Sequence, residues 1–341
     1  MLKPPEPISQ ARYHTALHGL INGFAMQPGG RIEHLAGDTL DAALAQSDAI
    51  VWLHFNVRVG QARDWIARCE HLLPSTRQFL LESDDRKRIE RVGDGLIGVI
   101  SDIRYDFGLD FDPEHIASLR FHLDQRRLIS TRRQPCSAVD QLRTEIKSGR
   151  HFASTPQLLI HLFESQIAKL GETISHVRGL LDELEDQILA GRMRGQHLKL
   201  GGIRRLAVRL SHHFRPEYRM LQHLSRRPLA WFDETDQVAL LEVVEEFREL
   251  VDDLTETQER AKLLQEEVAA RLAEQTNSNL YVLSLFTALL LPPSLIAGIF
   301  GMNVAGLPGL KDDAAFWWVI GGMVSVSGSI LCLLYWRRFF K

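Results

Sequence analysis

The side chains with the clearest chemical pattern in this sequence are oxygen-bearing residues at helical spacing. Alternate steps of three and four residues from Glu242 connect acids, then an amide, then hydroxyls, and this spacing keeps them on one helix face. The acidic members that we single out are Glu249, Asp252, Glu256, Glu259 and Glu266. The later members are Asn277, Leu280, Ser284, Thr287, Leu291, Ser294 and Gly298. Because hard cations prefer oxygen ligands, this stripe predicts a cation pathway.

If copies of this helix surround a common axis with the stripe inward, each position becomes a ring of oxygens or apolar side chains. Two plainer explanations remain open. The acids could face water or a neighbouring basic helix. The serine and threonine hydroxyls could bond the carbonyl oxygens one turn earlier in their own helix.

Two uncharged stretches contain or follow the later part of the stripe. No Asp, Glu, Lys or Arg occurs between Glu274 and Lys311, or between Asp313 and Arg337. Each exceeds the about 20 residues that a helix needs to cross a bilayer. We therefore predict membrane spans at about Leu280 to Phe300 and at about Phe316 to Trp336.

The flanking residues predict an orientation for these spans. The first residues, Met1 to Pro7, lack the apolar core of a signal peptide, so the large amino-terminal part is expected to stay in the cytoplasm. Arg337, Arg338 and Lys341 follow the second span, in agreement with the positive-inside rule. We expect a multi-pass protein of the bacterial inner membrane with both termini cytoplasmic and an external loop at 304–315.

Upstream, the pattern changes from mixed to helical near residue 150. We predict strands at Leu17–Met26, Ala49–Phe55, Leu96–Tyr105, Ile116–Leu123 and Arg127–Thr131, and helices at Pro74–Leu81 and Ala138–Lys147. Long helices are predicted at Gln157 to about Ala190, Gln196 to about Ser225, and Asp236 to at least Leu291. The expected class is an α+β membrane protein with a cytoplasmic α/β domain, a long helical stalk and two carboxy-terminal transmembrane helices.

The stalk helices carry opposite charges. Residues 192–227 contain ten Lys or Arg against Glu217 alone, and residues 233–267 contain thirteen acids against three basic residues. Pairing between these helices is the plain interpretation, and the acids disfavour a nucleic-acid partner. A second face of the acidic helix is apolar and is predicted to pack: Leu240, Val243, Val244, Phe247, Leu250, Val251, Leu254, Ala261, Leu264, Val268 and Leu272.

Each span has one further feature, a proline pair in the first and a row of small residues in the second. Pro292 and Pro293 have no amide hydrogens, which leaves the carbonyl oxygens of Ala288 and Leu289 without their usual partners. Such oxygens can line a cavity, although an ordinary kink is the alternative. In the second span, the small residues Gly321, Ser325 and Ser329 favour close helix packing rather than transport chemistry.

The sequence gives little support to an enzyme. It has no phosphate-binding glycine loop, no His-Glu-x-x-His and no Gly-x-Ser-x-Gly. Cys69, Cys136 and Cys332 are far apart and are expected to be reduced thiols, and no helical histidines form a His-x-x-x-His pair. We expect no cofactor. A membrane-anchored enzyme or signalling protein remains a remote alternative.

The stretch from Leu291 to Asn303, which ends in Gly301-Met302-Asn303, resembles the end of the first span in the CorA family of divalent-cation transporters. The placement of two carboxy-terminal spans after a long helix extends the likeness over the whole chain. The resemblance implies a funnel-shaped homopentamer. In it, the Asn303 carboxamide would contact a largely hydrated cation, Gly301 would permit a turn, and Leu280 and Leu291 would be candidate constrictions.

Within that family the sequence is most like the ZntB zinc-transporter branch. The residues that carry this likeness are Val304 to Gly309, Trp52-Leu53-His54, Ser118-Leu119-Arg120 and Ile129 to Arg133. The branch implies zinc as the transported ion and coupling to protons, and Asp312 and Asp313 of the outer loop could concentrate cations. A magnesium, cobalt or nickel channel of the same family is the alternative. Direction of transport stays open.

The expected division of the chain follows from these elements. We place the α/β domain at 1–150, the helical stalk at 151–279 and the pore helix with its Gly-Met-Asn motif at 280–303. The external loop is 304–315, the second transmembrane helix is 316–336 and the basic tail is 337–341. The expected partners are four further copies of the chain, the lipid bilayer, divalent cations and protons.

Overall fold

The computed structural model describes residues 19–46, 48–103, 116–192, 195–302 and 314–339. The chain divides into two compact units, Met1–Gln265 and Glu266–Lys341, called here the amino-terminal and carboxy-terminal units. The boundary falls inside a long helix, whereas the sequence places divisions at residues 150 and 279. Both divisions stay predictions.

The amino-terminal unit is built on one seven-stranded sheet. Its strands are β1 (Leu20–Met26), β2 (Ile32–His34), β3 (Ile50–Asn56), β4 (Arg88–Val92), β5 (Gly95–Ile103), β6 (Ile116–Leu123) and β7 (Arg127–Arg132). Their order is β2-β1-β3-β7-β6-β5-β4. Among the described strands only β3 and β7 pair in parallel, with Asn56 opposite Arg132.

Several helices of the amino-terminal unit cover the sheet. The described helices are α1 (Leu40–Ala45), α2 (Gly60–Arg68), α3 (Pro74–Leu81), α4 (Ser137–Lys147), α5 (Thr155–Leu189), α6 (Gln196–Arg226), α7 (Glu234–Phe300) and α8 (Ala315–Phe339). Side chains of α1, α2 and α3 share a core with alternate residues of β3, such as Leu53 and Phe55. Helices α4, α5 and α6 contact β5, and every residue of β5 is buried. The sheet is therefore covered on both faces at that strand.

The predicted strands are confirmed where the structure describes them. Residues 17–18 and 104–105, at the ends of two predicted strands, lie outside the described residues. The turn signal Gln27-Pro28-Gly29-Gly30 joins β1 to β2, and Gly30 takes a φ of 81°, which glycine adopts without the steric cost of a Cβ. Strands β2 and β4 and helices α1 and α2 were not predicted from the sequence.

A serine hydroxyl and a proline stabilise the start of helix α5. The Ser154 hydroxyl accepts a hydrogen bond from the Gln157 amide, while Pro156 occupies the first turn of α5, where no amide donor is needed. The same hydroxyl donates to Asp236 Oδ1 at 2.8 Å. Ser154 therefore caps α5 and also connects it to the first turn of α7.

The apolar face predicted for α7 is largely buried. Phe247 is fully enclosed and meets Phe214 of α6 edge to face, with the ring centroids 6.1 Å apart. Leu250 is half-buried, and Leu272 is 39% exposed, so the prediction was wrong for Leu272. Leu272 lies one turn beyond Val268, the last buried residue of this face.

Several charged contacts of α7 involve α5. Arg178 of α5 binds Asp253 with both amino nitrogens, at 2.9 and 2.6 Å, and Arg260 of α7 lies 2.7 Å from Asp182. Arg215 of the basic helix α6 donates to the neutral Thr255 hydroxyl at 2.8 Å. Opposite charges thus meet across α5 and α7 in these contacts, a pairing that the sequence analysis assigned to α6 and α7.

A buried carboxyl connects α6 to the sheet and to α5. Glu217, the lone acid of the basic segment, accepts the Ser101 amide at 2.5 Å and the Gln166 side-chain amide at 2.7 Å. Burial raises the pKa of Glu217 to about 7, and nearby Lys87 opposes that rise. Burial likewise raises the pKa of Asp102, which accepts the Ala138 amide, to about 8.

These two carboxyls predict a pH dependence of stability. Both have folded-state pKa values above their unfolded values, so their contribution is fully present below about pH 4 and is lost as the pH rises through about 7 to 8. Glu217→Gln should therefore flatten the fall in stability between about pH 5 and pH 8. Urea unfolding of the detergent-solubilised chain, followed by tryptophan fluorescence, measures the free energy of unfolding at each pH. The exposed Glu183→Gln is the control, and an unchanged slope in Glu217→Gln would contradict the assignment.

Candidate ion pathway

The acidic part of the predicted stripe lies on an open face of α7. Glu249, Asp252, Glu256, Glu259 and Glu266 are all exposed. Asp252 lies 3.2 Å from Arg248, and Glu256 lies 3.2 Å from Arg178. Exposed pairs of this kind contribute little stability, so the acids remain able to attract cations from solution.

The carboxy-terminal unit contains the two predicted spans. Both α7 and α8 include stretches long and apolar enough to cross a membrane, and no residue of those stretches is buried within the chain. The stripe residues Leu280 and Leu291 are 55% and 60% exposed, and off-stripe Leu283 is 62% exposed. The stripe is therefore open in one chain at Leu280 and Leu291, and its pore-lining role stays a prediction.

Two hydroxyl groups of the spans donate hydrogen bonds to carbonyl oxygens one turn earlier in their own helix. Thr287 donates to the Leu283 carbonyl oxygen at 2.9 Å, and Ser329 of α8 donates to the Ser325 carbonyl oxygen at 2.8 Å. This is the local bonding expected of a hydroxyl in an apolar helix. A donating hydroxyl still has lone pairs, so Thr287 can accept a hydrogen from water or orient a hydrated ion.

Helix α7 continues through both prolines and ends at Phe300. The carbonyl oxygens of Ala288 and Leu289 lie within this helical stretch, opposite positions that cannot donate. They are acceptors for water or for a neighbouring helix. The structure thus places two acceptors one turn beyond Ser284 without breaking the helix.

The Gly-Met-Asn motif begins where the helix ends. The Gly301 amide bonds the Ala297 carbonyl oxygen at 2.9 Å, and the Met302 amide bonds the Ile299 carbonyl oxygen at 3.3 Å. Gly301 does not adopt a left-handed backbone, but a Cβ there would lie 3.0 Å from the Ala297 oxygen. Glycine is therefore favoured by close approach. Asn303, Asp312 and Asp313 lie outside the described residues.

The small residues of α8 are open within the chain. A Cβ added at Gly321 would meet no other atom within 4 Å. The close helix packing predicted for this face is therefore not made within the described part of the chain and stays a prediction. In the described ranges, no group of three or more His, Cys, Asp or Glu side chains is arranged to hold a metal ion.

The burial of three ionisable residues was not predicted from the sequence. Glu217 and Asp102 have strongly raised pKa values, and Arg120 is buried with an orphaned guanidinium nitrogen. The signal for Glu217 was its isolation among ten basic residues. Asp102 and Arg120 follow apolar runs of the kind expected in a buried strand, which was a weaker signal.

Comparison with known proteins places the chain in a family. Residues 47–338 match the family model described as CorA-like Mg2+ transporter protein. The chain is 27% identical over 324 residues to the divalent cation transporter CmaX of Pseudomonas aeruginosa strain PAO1, covering 93% of this chain and 97% of that protein.

A second relative and a solved structure extend this comparison. The zinc transport protein ZntB of Pectobacterium carotovorum is 26% identical over 275 residues, covering 80% of this chain and 82% of that protein. The solved structure of full-length CmaX matches with a TM-score of 0.80 and 27% identity, over 94% of this chain and 98% of that one.

Thiol labelling tests which face of the first span meets water. In a Cys332→Ser background, Ser284→Cys and Thr287→Cys should react with a charged, membrane-impermeant thiosulfonate, because only a hydrated thiol forms the reactive thiolate. The off-stripe controls Leu283→Cys and Phe286→Cys should react at least tenfold more slowly, by the same thiolate requirement. Mass spectrometry of proteoliposomes measures the rates, and equal labelling at all four positions would contradict a lumen on this face.

Proposed function

Because the chain belongs to the CorA-like Mg2+ transporter family, a family of divalent cation transporters, we propose that it carries zinc across the bacterial inner membrane. The proposed pathway is the central pore of a funnel-shaped homopentamer, with both termini in the cytoplasm. The observation that carries the proposal is that one unbroken helix, α7, contains both the exposed acids and an uncharged stretch with the polar stripe.

The stripe gives each part of the pathway a role. The acids raise the local concentration of cations before the membrane, and Asn277 offers an amide oxygen at the start of the uncharged stretch. Ser284, Thr287 and Ser294 then provide hydroxyls, while Leu280 and Leu291 form rings that close by dewetting. Gly298 leaves room on the same face.

The mouth of the pathway is assigned to the Gly-Met-Asn motif. Gly301 and Met302 end the helix with the contacts described above, and Asn303 follows directly. Five Asn303 carboxamides around an axis would present oxygens to a hydrated cation. Asp312 and Asp313 in the external loop would add negative charge near that mouth.

Zinc is favoured by the ZntB relative and by the sequence features of that branch. Coupling to protons is proposed with it. The stripe contains no histidine or cysteine, so zinc would pass with most of its water rather than as a stripped ion. Magnesium, with cobalt or nickel, is the second candidate, because the matching family model is described for Mg2+.

Replacing the predicted selectivity residue tests the mouth. Asn303→Ala should abolish discrimination among divalent cations while the oligomer remains intact, because the ring loses its amide oxygens. Flux into proteoliposomes is measured with zinc-sensitive and magnesium-sensitive dyes, in competition and with or without a pH gradient. Asn279→Ala, the same change off the stripe, is the control. Undiminished selectivity in Asn303→Ala would refute the role of Asn303 in ion selection. A larger flux of magnesium than of zinc through the unmodified chain would identify magnesium as the transported ion.

Neutralising part of the acidic stripe tests its electrostatic role. The double variant Glu259→Gln and Glu266→Gln should reduce flux more at low than at high ionic strength, because salt screens exposed charges. Glu246→Gln with Glu274→Gln removes the same charge from off-stripe positions and should have a smaller effect. Flux measured at a low and a high potassium chloride concentration tests this prediction. An equal loss of flux at both concentrations would argue against an electrostatic role of the acidic stripe.

A further inference from the structure

A second concave site lies in the amino-terminal unit, at the carboxyl ends of the parallel strands β3 and β7. It is a cavity of about 120 Å³. Val57 and Arg58 enter it from the end of β3, and Arg132, Arg133 and Gln134 enter it from the end of β7. Ligands of open α/β sheets bind at this position, outside the carboxyl ends of parallel strands.

The lining of this cavity is strongly basic. Four arginines, Arg58, Arg120, Arg132 and Arg133, face one acid, Asp85. The carboxylate of Asp85 lies 3.2 Å from Arg120 Nη2, but its side chain is 61% exposed, so solvent weakens its compensation. The lining thus carries a formal excess of three positive charges.

Arg120 is the most informative of the four. The residue is only 3% exposed, and its Nη2 bonds the Asp84 carbonyl oxygen. Its other amino nitrogen, Nη1, is buried without a hydrogen-bond partner. Burial is the largest cause that lowers the pKa of Arg120; the charges of Arg133 and Arg88 lower it further, while Asp85 and Glu82 oppose the fall.

Neighbouring groups have spare hydrogen-bonding capacity of the same kind. Arg133 donates from Nη2 to the carbonyl oxygens of Leu81 and Glu82, at 3.3 and 3.0 Å, while its Nε is buried without a partner. The Gln134 side-chain amide also has a buried, unpartnered Oε1, and rotation of that amide would turn its nitrogen into the same space. Arg120 and Arg133 therefore each have one buried N–H group without a hydrogen-bond partner.

We propose that this cavity binds a phosphate group, either as inorganic phosphate or as the terminal group of a small phosphorylated metabolite. The guanidinium fork matches two oxygens of a tetrahedral oxyanion, and several such forks exceed what one carboxylate can accept. Ser118, at the cavity wall, accepts a hydrogen bond from Lys87 at 2.9 Å, which brings a further cation beside the site. The volume suits one phosphate group with its rim open to solvent.

Binding of radiolabelled orthophosphate to the full-length, detergent-solubilised chain tests this site by equilibrium dialysis. We expect saturable binding of one phosphate per chain. Arg58→Ala at the exposed rim and Arg133→Gln within should each weaken it about tenfold, the effect of losing one charge-assisted hydrogen bond. Arg63→Ala, an exposed arginine outside the cavity, is the matched control and should bind as the unmodified chain does.

Competition between radiolabelled orthophosphate and unlabelled compounds identifies which phosphate-bearing ligand the cavity prefers. Unlabelled AMP and ATP that displace phosphate at lower concentration than orthophosphate would assign the site to a nucleotide's phosphate, and displacement by orthophosphate alone would assign it to the free ion. Either supports the proposal. Absence of saturable binding at millimolar phosphate, equal displacement by the same concentration of chloride, or an equal loss in Arg63→Ala would overturn it. Thermal unfolding of each variant confirms that the chain is folded.

Discussion

One constraint governs this molecule: a single helix, α7, must satisfy two different solvents along its length. In the amino-terminal unit the helix buries an apolar face around Phe247 and exposes acids to water. In the carboxy-terminal unit it has no charged side chain after Glu274, as a bilayer requires. Its backbone satisfies its own hydrogen bonds in both settings, except opposite Pro292 and Pro293. The oxygens freed there, of Ala288 and Leu289, lie in the stretch for which a polar pathway is predicted.

The sequence predicted the elements whose signal is local. Strand β6 (Ile116–Leu123) and helix α3 (Pro74–Leu81) match their predicted bounds, because an apolar run and an amphipathic repeat that starts at proline each identify one structure. Strand β4 was missed because Arg88–Val92 alternates charges with apolar residues at a sheet edge, where pairing with β5 rather than burial holds it. Leu272 continued an apolar repeat whose packing partners end earlier.

The candidate pathway was predictable in kind because helical spacing depends only on sequence. Its closure into a pore stays a prediction, because the stripe residues Leu280 and Leu291 are exposed in one chain. The buried polar residues were harder to predict, because burial is a property of the assembled sheet and helices. Trp52, His54 and Ser130, for example, lie in segments noted for family likeness. The structure joins them through the Ser130 hydroxyl, 2.9 Å from His54 Nδ1 and 3.2 Å from Trp52 Nε1.

Two buried ionisable groups show how the chemistry of a side chain decides what must surround it. Glu217 is enclosed by amide donors, and because burial raises its pKa to about 7 it can take up a proton when its charge becomes costly. Arg120 has no such option, since a guanidinium stays protonated in proteins. Its charge must be balanced by an acceptor, and the exposed Asp85 supplies only part of that balance. The proposed anion, held by Arg120 and Arg133, provides the rest.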